Sequence, residues 1–107
     1  MADGGPRRRV EVMHASLGRY ERCGASQAEL VQVGRQLARL VSQAPGFISY
    51  ALLEARDGML ATVSVFETEA QLEEADRLLA DWLAAHATPL ARPLATLRGE
   101  ILVQKGM

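Results

Sequence analysis

Residues 45–67 read Pro-Gly-Phe-Ile-Ser-Tyr-Ala-Leu-Leu-Glu-Ala-Arg-Asp-Gly-Met-Leu-Ala-Thr-Val-Ser-Val-Phe-Glu. Pro45-Gly46 stops any helix that precedes it, because proline lacks the amide and glycine accepts a left-handed turn. Phe47 to Ala55 and Met59 to Glu67 are rich in β-branched, aromatic and aliphatic side chains. Asp57-Gly58 between them supplies the positive φ that a tight hairpin needs. The stretch therefore reads as a helix stop followed by a β-hairpin.

Upstream of the hairpin, Ser26-Gln27-Ala28-Glu29 has the form of a capping box. Leu30, Val33, Gly34, Leu37, Leu40, Val41 and Ala44 then recur at helical spacing and form one apolar stripe. Glycine inside such a stripe costs about 1 kcal/mol against alanine, so Gly34 is expected where a strand backs closely onto the helix. Val10 to Tyr20 alternates as a strand, with Met13, Ala15 and Leu17 on one face and Val12, His14, Ser16, Gly18 and Tyr20 on the other. Glu21 to Ala25 reads as a loop.

Downstream, Thr68-Glu69-Ala70-Gln71 is a second capping box. The helix it opens has an inward stripe of Leu72, Ala75, Leu79, Trp82, Leu83 and His86, with Glu73, Glu74, Arg77 and Asp81 outside. Pro89 and Pro93 end it. Thr96 to Gln104 alternates once more as a last strand. The order is βαββαβ, the split βαβ pattern of a ferredoxin-like sandwich in the α+β class. Two helices then cover one face of a four-stranded antiparallel sheet. Residues 1–9 are expected as a flexible tail and residues 10–107 as one domain.

Of the 107 residues, 49% are apolar and 23% charged, and the formal net charge is −1. A basic excess, the electrostatic footprint of a nucleic-acid binder, is missing. Arg7-Arg8-Arg9 reads as a solvated cluster on the tail rather than an anion-binding arm. No apolar run reaches the length that spans a bilayer, and the start has no apolar core of a secretory signal. Cys23 is the single cysteine, which fits a reducing cytoplasm. Two histidines and one cysteine give none of the usual metal-ligand spacings. No glycine-rich phosphate loop appears. Neither a metal nor a bound cofactor is expected.

A sheet with helices on one side shows clean alternation when its other side is wet. Here both parities are apolar. Phe47, Ala51 and Leu53 oppose Ile48, Tyr50 and Leu52; Met59, Ala61, Val63 and Val65 oppose Leu60 and Phe66. An open apolar sheet face marks an interface, and a second copy of the chain related by a two-fold axis is the economical cover. The expected partner is thus the chain itself, with neither nucleic acid nor membrane.

Arg19-Tyr20, the capped helix from Ser26, Ala44-Pro45-Gly46-Phe47-Ile48-Ser49-Tyr50, Val63-Ser64-Val65-Phe66-Glu67, Ala80-Asp81-Trp82-Leu83 and Gly99-Glu100-Ile101-Leu102-Val103 together resemble the antibiotic biosynthesis monooxygenase-like superfamily. The resemblance covers residues 11–105 and implies a dimeric α/β-barrel. It implies a cofactor-independent monooxygenase acting on a small phenolic or quinol substrate, held in a cleft between sheet and helices. The alternative is a non-catalytic dimer of the same fold, structural or small-molecule-binding. Haem binding through His86 or His14 is a third reading. The haem-degrading branch relies on an asparagine in its first strand, and this sequence contains no asparagine.

His86 is the candidate catalytic residue. Four residues beyond Trp82, it shares the inward stripe, and an imidazole titrating near neutrality could take a phenolic proton. Read structurally, it is a packed histidine bonded to a backbone carbonyl near the helix end. Trp82 would form a flat wall for an aromatic ligand, or would anchor the helix to the sheet. His14, Ser16 and Tyr20 share a strand face and could line one pocket, or lie in the dimer seam. Tyr50 offers a hydroxyl donor, or packs at the interface. Arg98 and Glu100 share a face of the last strand and read as an ion pair.

Overall fold

The computed structural model of the chain describes residues 12–86 and 91–106. The expected tail, the start of the first strand at Val10 and the helix-ending Pro89 lie outside the described residues. The elements are β1 (His14–Arg22), α1 (Gln27–Ser42), β2 (Phe47–Glu54), β3 (Met59–Phe66), α2 (Glu69–His86) and β4 (Ala91–Glu100). The chain has the βαββαβ order of a ferredoxin-like fold.

Both helices open on the capping boxes that their sequences spell. The Glu29 amide donates to Ser26 Oγ at 3.1 Å, and the Ser26 amide donates to Glu29 Oε1 at 2.8 Å. The Gln71 amide donates to Thr68 Oγ1 at 3.2 Å, and the Thr68 amide to Gln71 Oε1 at 3.1 Å. Each box satisfies amides that the first helical turn leaves without an intrahelical partner. Past α1 the chain turns at Gly46, whose φ is 81°. The Gly46 carbonyl then accepts the Glu67 amide at 2.9 Å, tying the start of β2 to the end of β3. The hairpin closes with the Gly58 amide donating to the Ala55 carbonyl at 3.1 Å, and Gly58 has φ 79°.

The strands form one antiparallel sheet in the order β2-β3-β1-β4. The helix face carries Ser16, Gly18, Leu60, Thr62, Ser64 and Phe66, all buried. Helix α1 packs on β2, and α2 packs on β1 and β3. The main core joins Leu37 and Val41 of α1, Phe66 of β3, and Leu72, Ala75 and Leu79 of α2. Gly34 behaves as its place in the stripe implies. A Cβ there would stand 2.8 Å from Cδ2 of Leu52 on β2, so the glycine lets α1 settle onto the sheet.

Strand limits and one side-chain parity differ from the sequence reading. Strand β1 runs on through Glu21 and Arg22, which pair with Arg92 and Ala91. Their polarity reads as a loop, yet Arg22 meets Glu54 at 2.9 Å and Glu21 meets Arg92, so both charges are used across the sheet edge. Strand β4 correspondingly starts at Ala91 and ends at Glu100, not 96–104. Pro93 lies inside it rather than ending α2. An edge strand tolerates proline at an irregularity, where its missing amide breaks no ladder; the β1–β4 register shifts between Arg19 and Tyr20, opposite Pro93. A second shift, between Phe47 and Ser49, reverses the parity of Phe47. It turns to the helix face and meets Phe66 edge-on, with ring centroids 5.8 Å apart. Simple alternation grouped it with Ala51 and Leu53, which lie on the open face.

Candidate functional site

Between α2 and the β1–β4 half of the sheet lies a cleft of about 560 Å³. It exists because β4 extends the sheet beyond the helices: β4 pairs with β1, but its residues 92–100 are exposed. The floor comes from alternate positions of β1 and β4, including Ser16, Gly18, Tyr20, Thr96 and Arg98, with Thr62 from β3. The wall is the α2 stripe Glu73, Asp76, Arg77, Ala80, Leu83 and Ala84. These recur at helical spacing one step around from the buried Leu72–Ala75–Leu79 stripe. The small side chains of Ala80 and Ala84 leave the wall open.

A smaller space of about 40 Å³ adjoins the cleft, sharing Tyr20, Thr62, Leu79, Leu83 and Ala91 with it. It reaches under α1, to Leu30, Val33 and Leu37, and its wall also includes Tyr50 of β2. The site thus has a wide mouth of mixed polar and apolar lining and a narrow apolar inner end.

Arg98 Nε donates to Asp76 Oδ2 at 2.8 Å, joining β4 to α2 across the mouth. On the same helix Arg77 is held by Glu74 and by Asp81, the latter at 3.2 Å. The Arg77 hydrogen bond holds the Glu74 carboxyl below its usual range, with their charge attraction adding to it. Tyr20 arches over Gly18: a Cβ on Gly18 would stand 2.9 Å from Thr62 Oγ1 and 3.2 Å from the Tyr20 hydroxyl oxygen. Burial pushes the Tyr20 phenol above its usual value, the hydrogen bond with Thr62 pulls it down, and the Asp76 charge adds to the rise. Tyr50 is raised further, by burial first and by its neighbour Tyr20 second. Its hydroxyl is buried and has no hydrogen-bond partner among the described residues.

The structure brings Tyr20, Ser16 and Tyr50 together around these two spaces. The other candidates lie elsewhere. Trp82 is half-buried against the main core, and its indole stacks on the His86 ring at a centroid distance of 4.6 Å. His86 is exposed, and its Nδ1 lies 3.0 Å from the Trp82 carbonyl oxygen, within hydrogen-bond distance. Its stripe does point inward at Leu72, Ala75 and Leu79, but the ring caps the end of the helix and does not line the cleft. His14 sits near the start of β1, paired with Phe66 and Glu100. Its Nδ1 is buried without a partner among the described residues, and it lines neither space. Arg98 pairs with Asp76 rather than with Glu100.

Sequence reasoning missed Asp76 and Thr62. A signal for Asp76 existed: it follows Glu73 by three residues on a stripe flanked by Ala80 and Ala84. Thr62 is a polar residue at an inward position of an otherwise aliphatic strand. Among the described residues, no group of three or more His, Cys, Asp or Glu side chains could hold a metal ion. No described helix is long and apolar enough to cross a membrane.

The topology defines a ferredoxin-like fold. Solved structures that share it include NE2512, a protein of unknown function from Nitrosomonas europaea, with TM-score 0.74 at 21% identity over 91% of this chain and 96% of that one. Rv0793 from Mycobacterium tuberculosis matches with TM-score 0.69 at 20% identity over 88% and 99%. SnoaB from Streptomyces nogalater, a cofactor-independent oxygenase, matches with TM-score 0.62 at 20% identity over 90% and 97%. At these identities the likeness is one of fold. No protein-family profile and no curated protein sequence matches the chain.

Proposed function

We propose that the chain binds a small, flat aromatic molecule in the sheet–helix cleft and oxygenates a phenolic or quinol substrate there without a bound cofactor. The observation that carries this reading is the cleft itself. Its size falls within the range that holds small organic ligands, and polar groups from both floor and wall, Ser16, Asp76, Thr96 and Arg98 among them, line it beside an apolar inner end. In this reaction class the substrate supplies the electrons to oxygen, so the protein's part is to orient the ring and accept a phenolic proton. Tyr20 and Tyr50 orient the substrate. Asp76 is the better placed proton acceptor, because it lines the cleft. His86 and Trp82 lie at the C-terminal end of α2 and His14 at the start of β1, outside both spaces.

A second copy of the chain covers the open sheet face. Leu17, Leu53 and Leu97 stand 40%, 48% and 67% exposed on that face. Past β4, Leu102 and Val103 are 86% and 90% exposed, an apolar extension suited to lie along a partner.

The second reading is a binder without turnover. It is favoured by one observation: the best placed carboxylate is occupied by Arg98, and the imidazole best suited to the chemistry is outside the cleft. Oxygen uptake with a panel of quinols separates the two. The enzyme reading expects uptake above the uncatalysed rate that is lost in Ala80→Trp, which fills the cleft. Equal rates in wild type and Asp76→Asn would overturn Asp76 as the acceptor; equal rates in His86→Ala would overturn the histidine. Binding without uptake would establish the second reading.

A further inference from the structure

The inner end of the cleft is chemically specific in a way that the mouth is not. Its wall contains six leucines, from α1, α2, β2 and β3, and its polar members are Tyr20, Tyr50 and Thr62. Tyr20 and Thr62 bond to each other. The Tyr50 hydroxyl is left, buried and without a partner among the described residues. Burying a hydroxyl unpaired costs free energy, and a phenylalanine at position 50 would avoid that cost with the same ring. The space is large enough for a water by volume, and the hydroxyls of Tyr20, Tyr50 and Thr62 around it could hold one until a ligand carbonyl displaces it. A carbonyl edge that enters from the adjoining cleft brings the one acceptor that the Tyr50 hydroxyl lacks.

We propose that Tyr50 is the inner recognition group of the cleft, its hydroxyl donating a hydrogen bond to the carbonyl of a flat aromatic ketone or quinone whose carbonyl edge enters the narrow inner end while its rings lie in the wider adjoining cleft. The inference rests on the reading that the cleft binds a ligand, and adds which end enters first and what that end carries. Burial raises the Tyr50 phenol above its usual value, so the group is a neutral donor at physiological pH and not a base. A site built around a buried donor discriminates against an analogue that lacks the acceptor, because binding then leaves the donor unpaired.

The test uses 1-tetralone and tetralin, which share a fused-ring skeleton and differ by the carbonyl; neither reacts with the exposed thiol of Cys23. Affinities are measured for wild type and Tyr50→Phe, together with the infrared C=O stretch of bound tetralone. Wild type is expected to bind tetralone about three- to tenfold more tightly than tetralin, the worth of one neutral hydrogen bond. Tyr50→Phe should erase that preference while keeping the tetralin affinity, and the C=O stretch should rise as its donor is lost. If both probes bind but wild type shows no preference, or if Tyr50→Phe keeps the preference and the low stretch, the Tyr50 assignment is overturned and the cleft reading survives. If neither probe binds wild type, both are overturned.

Discussion

Arg98 on the edge strand β4 and Asp76 on α2 meet at 2.8 Å across the mouth of the cleft. The pair closes a gap between two elements that otherwise touch little on that side. It is partly exposed, with side-chain exposures of 46% for Arg98 and 16% for Asp76. Exposed pairs contribute about 0–1 kcal/mol. Asp76→Asn should therefore lower the unfolding free energy in urea by no more than about 1 kcal/mol. A larger loss would mean that the pair holds the fold together rather than shaping the site.

Glycines with positive φ should differ according to what surrounds them. Gly46 and Gly58 have φ of 81° and 79°. An alanine at Gly58 meets nothing within 4 Å, so Gly58→Ala should cost only the left-handed backbone penalty, about 1–2 kcal/mol. An alanine at Gly46 would collide with the side chain of Gln71, which closes the second capping box. Gly46→Ala should cost clearly more than Gly58→Ala in chemical denaturation. Equal costs would show that the capping side chain moves aside freely.

The two tyrosines make a pH prediction with a definite sign. Both are raised above 10.0 by burial. Below that pH both folded and unfolded chains hold the phenolic proton, so neither group adds pH dependence. Above it the unfolded chain releases protons that the folded chain keeps, and stability falls as pH rises toward the folded pKa values. Tyrosinate absorbance at 295 nm should lag in the native protein at pH 10.5 and appear on adding denaturant. Tyr50→Phe should lessen the alkaline loss of stability. Full ionisation in the native protein at pH 10.5 would contradict the burial of these phenols.

Tyr50→Phe should also be at least as stable as wild type at neutral pH, and by up to about 1 kcal/mol more stable, since it removes an unpaired buried hydroxyl. Thermal unfolding measures this. A marked destabilisation would mean that the hydroxyl is bonded in solution.

The fold was legible because its signals are local. Two capping boxes, a glycine-turn hairpin and two apolar stripes each act over a few residues, and together they order the elements. Phe47 and Pro93 were misread because their places depend on register shifts, which arise from how two distant strands meet and leave no mark on period-two alternation. The cleft was less legible for the same reason. It is made by β4 reaching past the helices, so Asp76, on what reads as a solvent face of α2, becomes a wall. His86 fell to the opposite error. Its spacing places it on the inward stripe, but at the last residue of α2 the ring is exposed and stacks on Trp82 instead.

The open sheet face should bring two copies together. Leu97→Glu and Val63→Glu put a charge on that face without touching the helix side. Each is expected to halve the particle mass seen by sedimentation while the far-ultraviolet dichroism stays the same. A wild-type chain that sediments as a monomer at micromolar concentration would contradict the proposed partner.

The central claim is that the sheet–helix cleft is where a ligand binds. The most direct measurement is a nuclear magnetic resonance titration of the labelled protein with 1-naphthol, following backbone amides. The account predicts shifts clustered at Ser16, Gly18, Thr62, Ala80 and Thr96, lost in Ala80→Trp. Shifts at Ala61, Val63 and Leu97 on the opposite face, or none at any concentration that dissolves, would contradict it.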